Sequence, residues 1–168
     1  MQLIISDGHA GLNAARVAVF GGIPWQRCQF HVQQNAQAYV PHKDQQAEVA
    51  TDIRKVFNAP DRATAEAYLA GIVQEYQKNA FRLADWMEKN IPESLTVFAF
   101  PVSHQRKLPT SNCLERLNRE IRRRTKVVSI FPSEEACLRL ISAVLMEIDE
   151  EWQTGRIYLS VDARASQP

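Results

Sequence analysis

The chain has 168 residues, enough for one domain, or one domain carrying an insertion, with a substantial apolar core. Twenty basic residues nearly cancel nineteen acidic ones, so net charge gives no reason to expect a nucleic-acid partner, and no apolar run approaches the ~20 residues that cross a bilayer. Cys28, Cys113 and Cys137 are odd in number, widely spaced and preceded by no secretory signal, which points to reduced thiols in a cytosolic protein instead of a disulfide framework.

The distribution of charge says more than its sum. Residues 106–126 carry eight Lys or Arg against Glu115 and Glu120, whereas residues 133–151 carry six carboxylates against Arg139 alone. A basic segment is followed by an acidic one.

In chain order, Leu3-Ile4-Ile5 ending at Ser6-Asp7-Gly8 has the pattern of a buried strand feeding a polar turn, with Asp7 at the strand's C-terminal end. Residues 12–20 are Ala-rich with helical apolar spacing and stop at Gly21-Gly22, where glycine can take the left-handed conformation that closes a helix. After Pro24, the run Trp25-Gln26-Arg27-Cys28-Gln29-Phe30 is compatible with a second short strand, and residues 32–39 with a helix ending before Pro41.

Between residues 43 and 91 Gly and Pro become rare, and Val49, Ile53, Val56 and Phe57 fall at helical spacing, so about three helices are expected. Asn58-Ala59-Pro60-Asp61 marks one break and Asn79 a weaker one. Periodicity over residues 95–100 does not decide between an extended stretch and a helical turn.

Pro109-Thr110-Ser111-Asn112 supplies helix-starting side chains. In the helix that follows, Leu114, Leu117 and Ile121 fall on one face, expected to pack, and Glu115, Asn118, Arg119 and Arg122 on another. A last helix is expected from Ser133, burying Cys137, Ile141, Val144, Ile148 and Trp152, with an acidic outer face and a frayed tail beyond Leu159.

Three groups of residues could carry chemistry. Asp7 and Glu115 are a strand-end carboxylate and a first-turn helix carboxylate, the kind of pair that two-metal phosphoryl transfer needs. Plainer roles also suffice: Asp7 could serve its turn, and Glu115, three residues after Asn112, could complete a capping box.

Cys28 and His31 have a spacing that zinc could use, but structural zinc needs four ligands, and neither Cys113 and Cys137 nor His9, His42 and His104 form a second close pair. The run from Arg116 through Arg119, Arg122, Arg123 and Arg124 to Lys126 could neutralise phosphates, or be a solvated face paired with the acidic last helix. Charge alone leaves both open.

Taken together and in this order, Ser6-Asp7-Gly8-His9, Trp25-Gln26-Arg27-Cys28-Gln29-Phe30-His31, the run from Asn112-Cys113-Leu114-Glu115-Arg116 through Arg122-Arg123-Arg124, and Ile130-Phe131-Pro132 resemble Mutator-type bacterial insertion-sequence transposases. The resemblance runs from the first residues to about Asp162. It implies an α/β, helix-rich fold with a ribonuclease H-like core, an all-helical insertion, and an Asp, Asp, Glu triad that binds magnesium or manganese.

On that resemblance Asp7 matches the second Asp and Glu115 the Glu, both catalytic and metal-binding. Cys28 and His31 match a Cys-x-x-His motif of the active-site architecture, and His104 and Asn112 are neighbours of the site. The core is expected in residues 1–40 and 100–159, the insertion in 41–99 and a tail in 160–168.

The resemblance places the first Asp on a strand upstream of Asp7, so the chain is expected to be a truncated part of the catalytic domain, inactive alone. Implied partners are DNA, as transposon ends and target, and a second copy or an intact transposase. The expected place is the cytoplasm, on the nucleoid when DNA is bound. The rival expectation is a non-catalytic DNA-binding or oligomerising remnant.

Overall fold

The computed structural model describes residues 2–155. They divide into two compact units, one ending at Ser111 and one beginning at Asn112.

The first unit opens with a parallel crossover: strand β1 (Ile4–Ser6), helix α1 (Ala10–Phe20) and strand β2 (Trp25–Arg27). Ile4 pairs with Trp25 and Ser6 with Arg27. Two further bonds extend the ladder, Ile4 N–H to Pro24 O at 2.9 Å and Cys28 N–H to Ser6 O at 2.8 Å.

Helix α1 buries none of its residues, and Leu12, Val17, Val19 and Phe20 are exposed. Polar and π contacts attach it instead. The Arg16 guanidinium lies 4.6 Å over the Trp25 ring and donates to Asn13 Oδ1 at 2.7 Å, while the Trp25 indole N–H donates to Ser6 Oγ at 2.9 Å.

The expected left-handed glycine cap of α1 is absent. Gly21 has φ −55° and ψ −26°, and Ile23 N–H closes the turn on Phe20 O at 2.9 Å. A right-handed turn already redirects the chain toward Pro24, so no positive φ is needed here.

Helix α2 (Gln29–Ala36) starts earlier than the sequence pattern suggests and continues into a 3₁₀ turn at Gln37–Tyr39. The strand stops at Arg27 because the Cys28 carbonyl turns to accept Val32 N–H at 3.0 Å, the first bond of the helix.

The three helices expected next are α3 (Gln46–Phe57), α4 (Arg62–Tyr76) and α5 (Phe81–Asn90). Pro60 separates α3 from α4, and Asp61 caps α4 by accepting Thr64 N–H at 2.8 Å. That backbone bond also lowers the Asp61 pKa.

Val49, Ile53 and Val56 recur at steps of four and three, so one stripe of α3 meets Leu69 and Val73 of α4 and Leu83 and Met87 of α5 in one core with Val32 and Ala36 of α2. Ile53, Leu83 and Met87 are fully buried, each contributing about 1.5–3 kcal/mol. Tyr76 OH donates to Asp52 Oδ2 at 2.7 Å, tying α4 to α3, and burial followed by that carboxylate pushes the phenol's pKa up.

Within residues 95–100, undecided by periodicity, Thr96–Ala99 form a 3₁₀ turn; with that at Pro92–Ser94 it leads to the short helix α6 (Val102–Gln105).

The second unit is a pair of helices, α7 (Asn112–Val128) and α8 (Glu134–Thr154). Between them Ser129 takes φ 62°, the left-handed position that ends helices. Ser133 caps α8 as expected, accepting Ala136 N–H at 3.3 Å.

The expected burial of these two helices needs correction. Among the described residues only Val144 of α8 is buried, Cys137, Ile141 and Ile148 are partly covered, Trp152 is 59% exposed, and on α7 Leu114 is 55% exposed. Within this unit each helix has a single helical neighbour, which covers less than the full width of an apolar stripe. The tail beyond residue 155 lies outside the described residues.

Candidate active site

Parallel strands present the residues that follow them at one common edge, where α/β sheets gather their ligands. Asp7 follows β1 and Cys28 follows β2, so both leave the sheet at its C-terminal edge. Asp7 is exposed, and its Oδ1 accepts the N–H of Gly8 at 2.7 Å. The turn therefore orients the carboxylate while leaving it open to solvent.

Beneath this turn lies a polar cluster that sequence reasoning missed. Arg27, 8% exposed, donates through Nη1 to Asn90 Oδ1 at 2.7 Å and to Glu93 Oε2 at 2.9 Å. Its guanidinium faces Gly8 so closely that a Cβ there would collide with it. Gln26, fully buried, donates to Ser94 O at 2.7 Å and accepts Val97 N–H at 2.8 Å.

Gln29 Nε2 donates to the same Ser94 carbonyl at 3.0 Å, and Thr96 Oγ1 donates to Trp25 O at 2.6 Å. The strand that ends at Arg27 is thereby bonded to residues 90–97, at the far end of the helical segment. Alternate burial along a three-residue strand carries no sequence signal for such partners; only the polarity of Gln26, Arg27 and Gln29 in a run otherwise read as buried strand could have flagged them.

Cys28 is fully buried and its Sγ accepts Ser111 N–H at 3.5 Å, while Gln29 N–H donates to Pro109 O at 2.9 Å. His31, in the first turn of α2, meets the Phe30 ring edge-on at 5.4 Å between centroids. Cys28 and Gln29 thus fasten the 109–111 segment to the start of α2. Cys28, Cys113 and Cys137 are free thiols.

His104 lies in α6, where its backbone N–H donates to Pro101 O at 2.8 Å. No hydrogen bond or ion pair joins it to Asp7 or Cys28 among the described residues. Asn112 is the first residue of α7.

On α7, Glu115 sits in the first turn and is partly buried. Steps of four, three and four residues put Arg119, Arg122 and Lys126 on the face of Glu115, with Arg116 beside them. At 1.5 Å per residue the stripe extends about 16 Å beyond the carboxylate. Arg116, Arg119, Arg122 and Lys126 are exposed and make no ion pair among the described residues.

Arg123 and Arg124 behave differently. Both donate to Glu120, at 2.6 Å from Arg123 Nη2 and 2.8 Å from Arg124 Nε, and Arg124 also reaches Glu147 of α8 at 3.3 Å. The Arg123 hydrogen bond, then that of Arg124, holds the Glu120 pKa down at about 2. Of the run, Arg124 thus pairs with the acidic last helix, Arg123 pairs within α7, and Arg116, Arg119, Arg122 and Lys126 make no ion pair among the described residues.

The sequence profile described as "Transposase, Mutator family" matches residues 1–155. The chain belongs to the Mutator family of transposases. It is 55% identical over 160 residues to the transposase for insertion sequence element IS406 of Burkholderia multivorans, covering 95% of this chain and 41% of that protein. It is 40% identical over 162 residues to the transposase for ISRM5 of Rhizobium meliloti, covering 96% and 40%.

A third relative, the transposase for insertion sequence element IS256 in transposon Tn4001 of Staphylococcus aureus, is 32% identical over 164 residues, covering 96% and 42%. The chain thus spans about two fifths of the length of the curated relatives it matches. No helix among the described residues is long and apolar enough to cross a membrane.

Proposed function

We propose that this chain supplies the second Asp and the Glu of a metal-dependent DNA transposase with a ribonuclease H-like core, Asp7 and Glu115 being the carboxylates that hold magnesium or manganese. The observation that carries this is Asp7 itself: exposed at the C-terminal edge of a parallel strand pair, with one oxygen oriented by Gly8 N–H, in a chain of the Mutator family.

The donor chemistry fits the ion. Hard divalent cations take carboxylate oxygens, and Asp7 and Glu115 offer them from a strand end and a helix turn. Bound there, such an ion activates the attacking oxygen and stabilises the leaving one at a phosphodiester.

The protein's own residues do the rest. Arg116, Arg119, Arg122 and Lys126 line the Glu115 face of α7 and neutralise the DNA backbone, which sets affinity and position without reading sequence. Cys28 and His31 belong to the architecture of the site: Cys28 binds the segment leading into α7 and starts the helix that carries His31. In this reading His104 and Asn112 are neighbours of the site, transposon ends and target are the DNA, a second copy or an intact transposase is the protein partner, and the cytoplasmic nucleoid is the place of action.

The test is a chimera in which this chain replaces the aligned segment of the IS406-type transposase, assayed for magnesium-dependent cleavage at element ends. Asp7→Asn and Glu115→Gln should each abolish cleavage without lowering thermal stability. Cleavage retained in either variant overturns that residue's assignment.

A further inference from the structure

The motif around β2 does more than end in Cys28. Arg27 is nine-tenths buried, and its two short bonds run to Asn90 and Glu93, some 65 residues away in the helical segment. A buried guanidinium that is only partly paired is costly. Its Nε is enclosed and has no partner among the described residues, so the position is occupied at a cost to stability, which calls for another reason.

The neighbour on its free face supplies one. The guanidinium plane stands against Gly8, where no side chain would fit. Gly8 does not have a positive φ, so glycine is there for room and not for backbone conformation. The N–H of Gly8 in turn binds Asp7 Oδ1. A continuous relay therefore runs from Asn90 and Glu93 through Arg27 to Gly8 and the Asp7 carboxylate.

We propose that Arg27 is a positioning residue for Asp7: clamped at one edge by Asn90 and Glu93, it backs the Asp7–Gly8 turn and fixes the carboxylate for a divalent cation. The clamp also makes the end of the helical segment a determinant of metal affinity at a strand it does not belong to. This rests on Asp7 being a metal ligand as proposed above.

A guanidinium suits the task because its planar fork can satisfy two acceptors along one edge while its flat face packs on a glycine. Lysine keeps the charge and loses both the fork and the face. Glu93→Gln leaves Arg27 in place and loosens only the clamp, so it serves if Arg27→Lys folds poorly.

The experiment is manganese titration of the 168-residue chain, read by the loss of free-ion EPR signal, for wild type, Asp7→Asn, Arg27→Lys and Glu93→Gln, with helical melting curves in parallel. Asp7→Asn should remove the site. Arg27→Lys and Glu93→Gln should weaken it about ten-fold, the low end for groups that orient a metal ligand, while their melting curves stay close to wild type. Wild-type affinity in both of these variants, with the site lost in Asp7→Asn, overturns the role of Arg27 alone. Unchanged manganese binding in Asp7→Asn overturns the assignment of Asp7 and, with it, the relay.

Discussion

Gln26 accepts the backbone N–H of Val97 at 2.8 Å across 71 residues of sequence, and its amide also donates to Ser94 O at 2.7 Å. One fully buried side chain thus satisfies both a donor and an acceptor in the turns that follow α5.

Replacing it exposes the size of that contribution. Gln26→Leu keeps the volume roughly but strands the Val97 amide, at a cost of about 1–3 kcal/mol when buried and unpaired, while the Ser94 carbonyl keeps its bond from Gln29. Urea denaturation should show a loss of about 1–3 kcal/mol. Gln26→Glu should also destabilise, since a carboxylate cannot donate to Ser94 O.

Gly8→Ala tests the close approach of Arg27 directly. The added methyl must push against a guanidinium that Asn90 and Glu93 hold in place, so stability should fall by about 1–3 kcal/mol, as for other overpacked sites. Combining it with Arg27→Ala should recover part of that loss in thermal melts, because the obstruction is then gone.

Much of this was legible locally. Leu3-Ile4-Ile5 before Ser6-Asp7-Gly8, and the break at Asn58-Ala59-Pro60-Asp61 with its Asp61 cap, are written in neighbouring residues, and β1 and α4 follow them. The first of the three helices between residues 43 and 91 follows from the spacing of Val49, Ile53 and Val56. The position of Asp7 at a strand end was readable for the same reason.

What escaped was set by distant partners. Nothing near Arg27 announces Asn90 and Glu93, and nothing near Gln26 announces Ser94 and Val97. The apolar stripe of α8 suggested burial for Trp152, but periodicity reports a face able to pack, not how much protein is there to cover it. Gly21 looked like a left-handed cap because glycine permits that conformation, and the chain used a right-handed turn instead.

Salt dependence should separate the two kinds of arginine on α7. Arg119→Gln and Arg122→Gln should each reduce the slope of log affinity against log salt for duplex DNA by about 0.7–0.9. Arg123→Gln should change it much less, because Arg123 is already paired with Glu120. Equal effects at all three positions would contradict a phosphate-binding stripe on the Glu115 face.

Glu120 makes α7 sensitive to acid. Its folded pKa of about 2 lies below the ordinary 4.5, so it binds fewer protons when folded, and its contribution is present above the unfolded pKa. That contribution should fade as pH falls from about 4.5 toward 2. Melting of wild type against Glu120→Gln should converge over this range, with a smaller difference at high salt because the group is exposed.

The central claim is that Asp7 holds the catalytic metal, and a change of metal preference tests it most directly. Asp7→Cys, in the full-length chimera with the IS406-type protein, replaces a hard oxygen by a soft thiolate that disfavours magnesium and tolerates manganese. End cleavage should be lost in magnesium and partly restored in manganese, with wild type active in both. Cleavage by Asp7→Cys at wild-type levels in magnesium would contradict it, as would failure in both metals by a folded protein that still binds DNA.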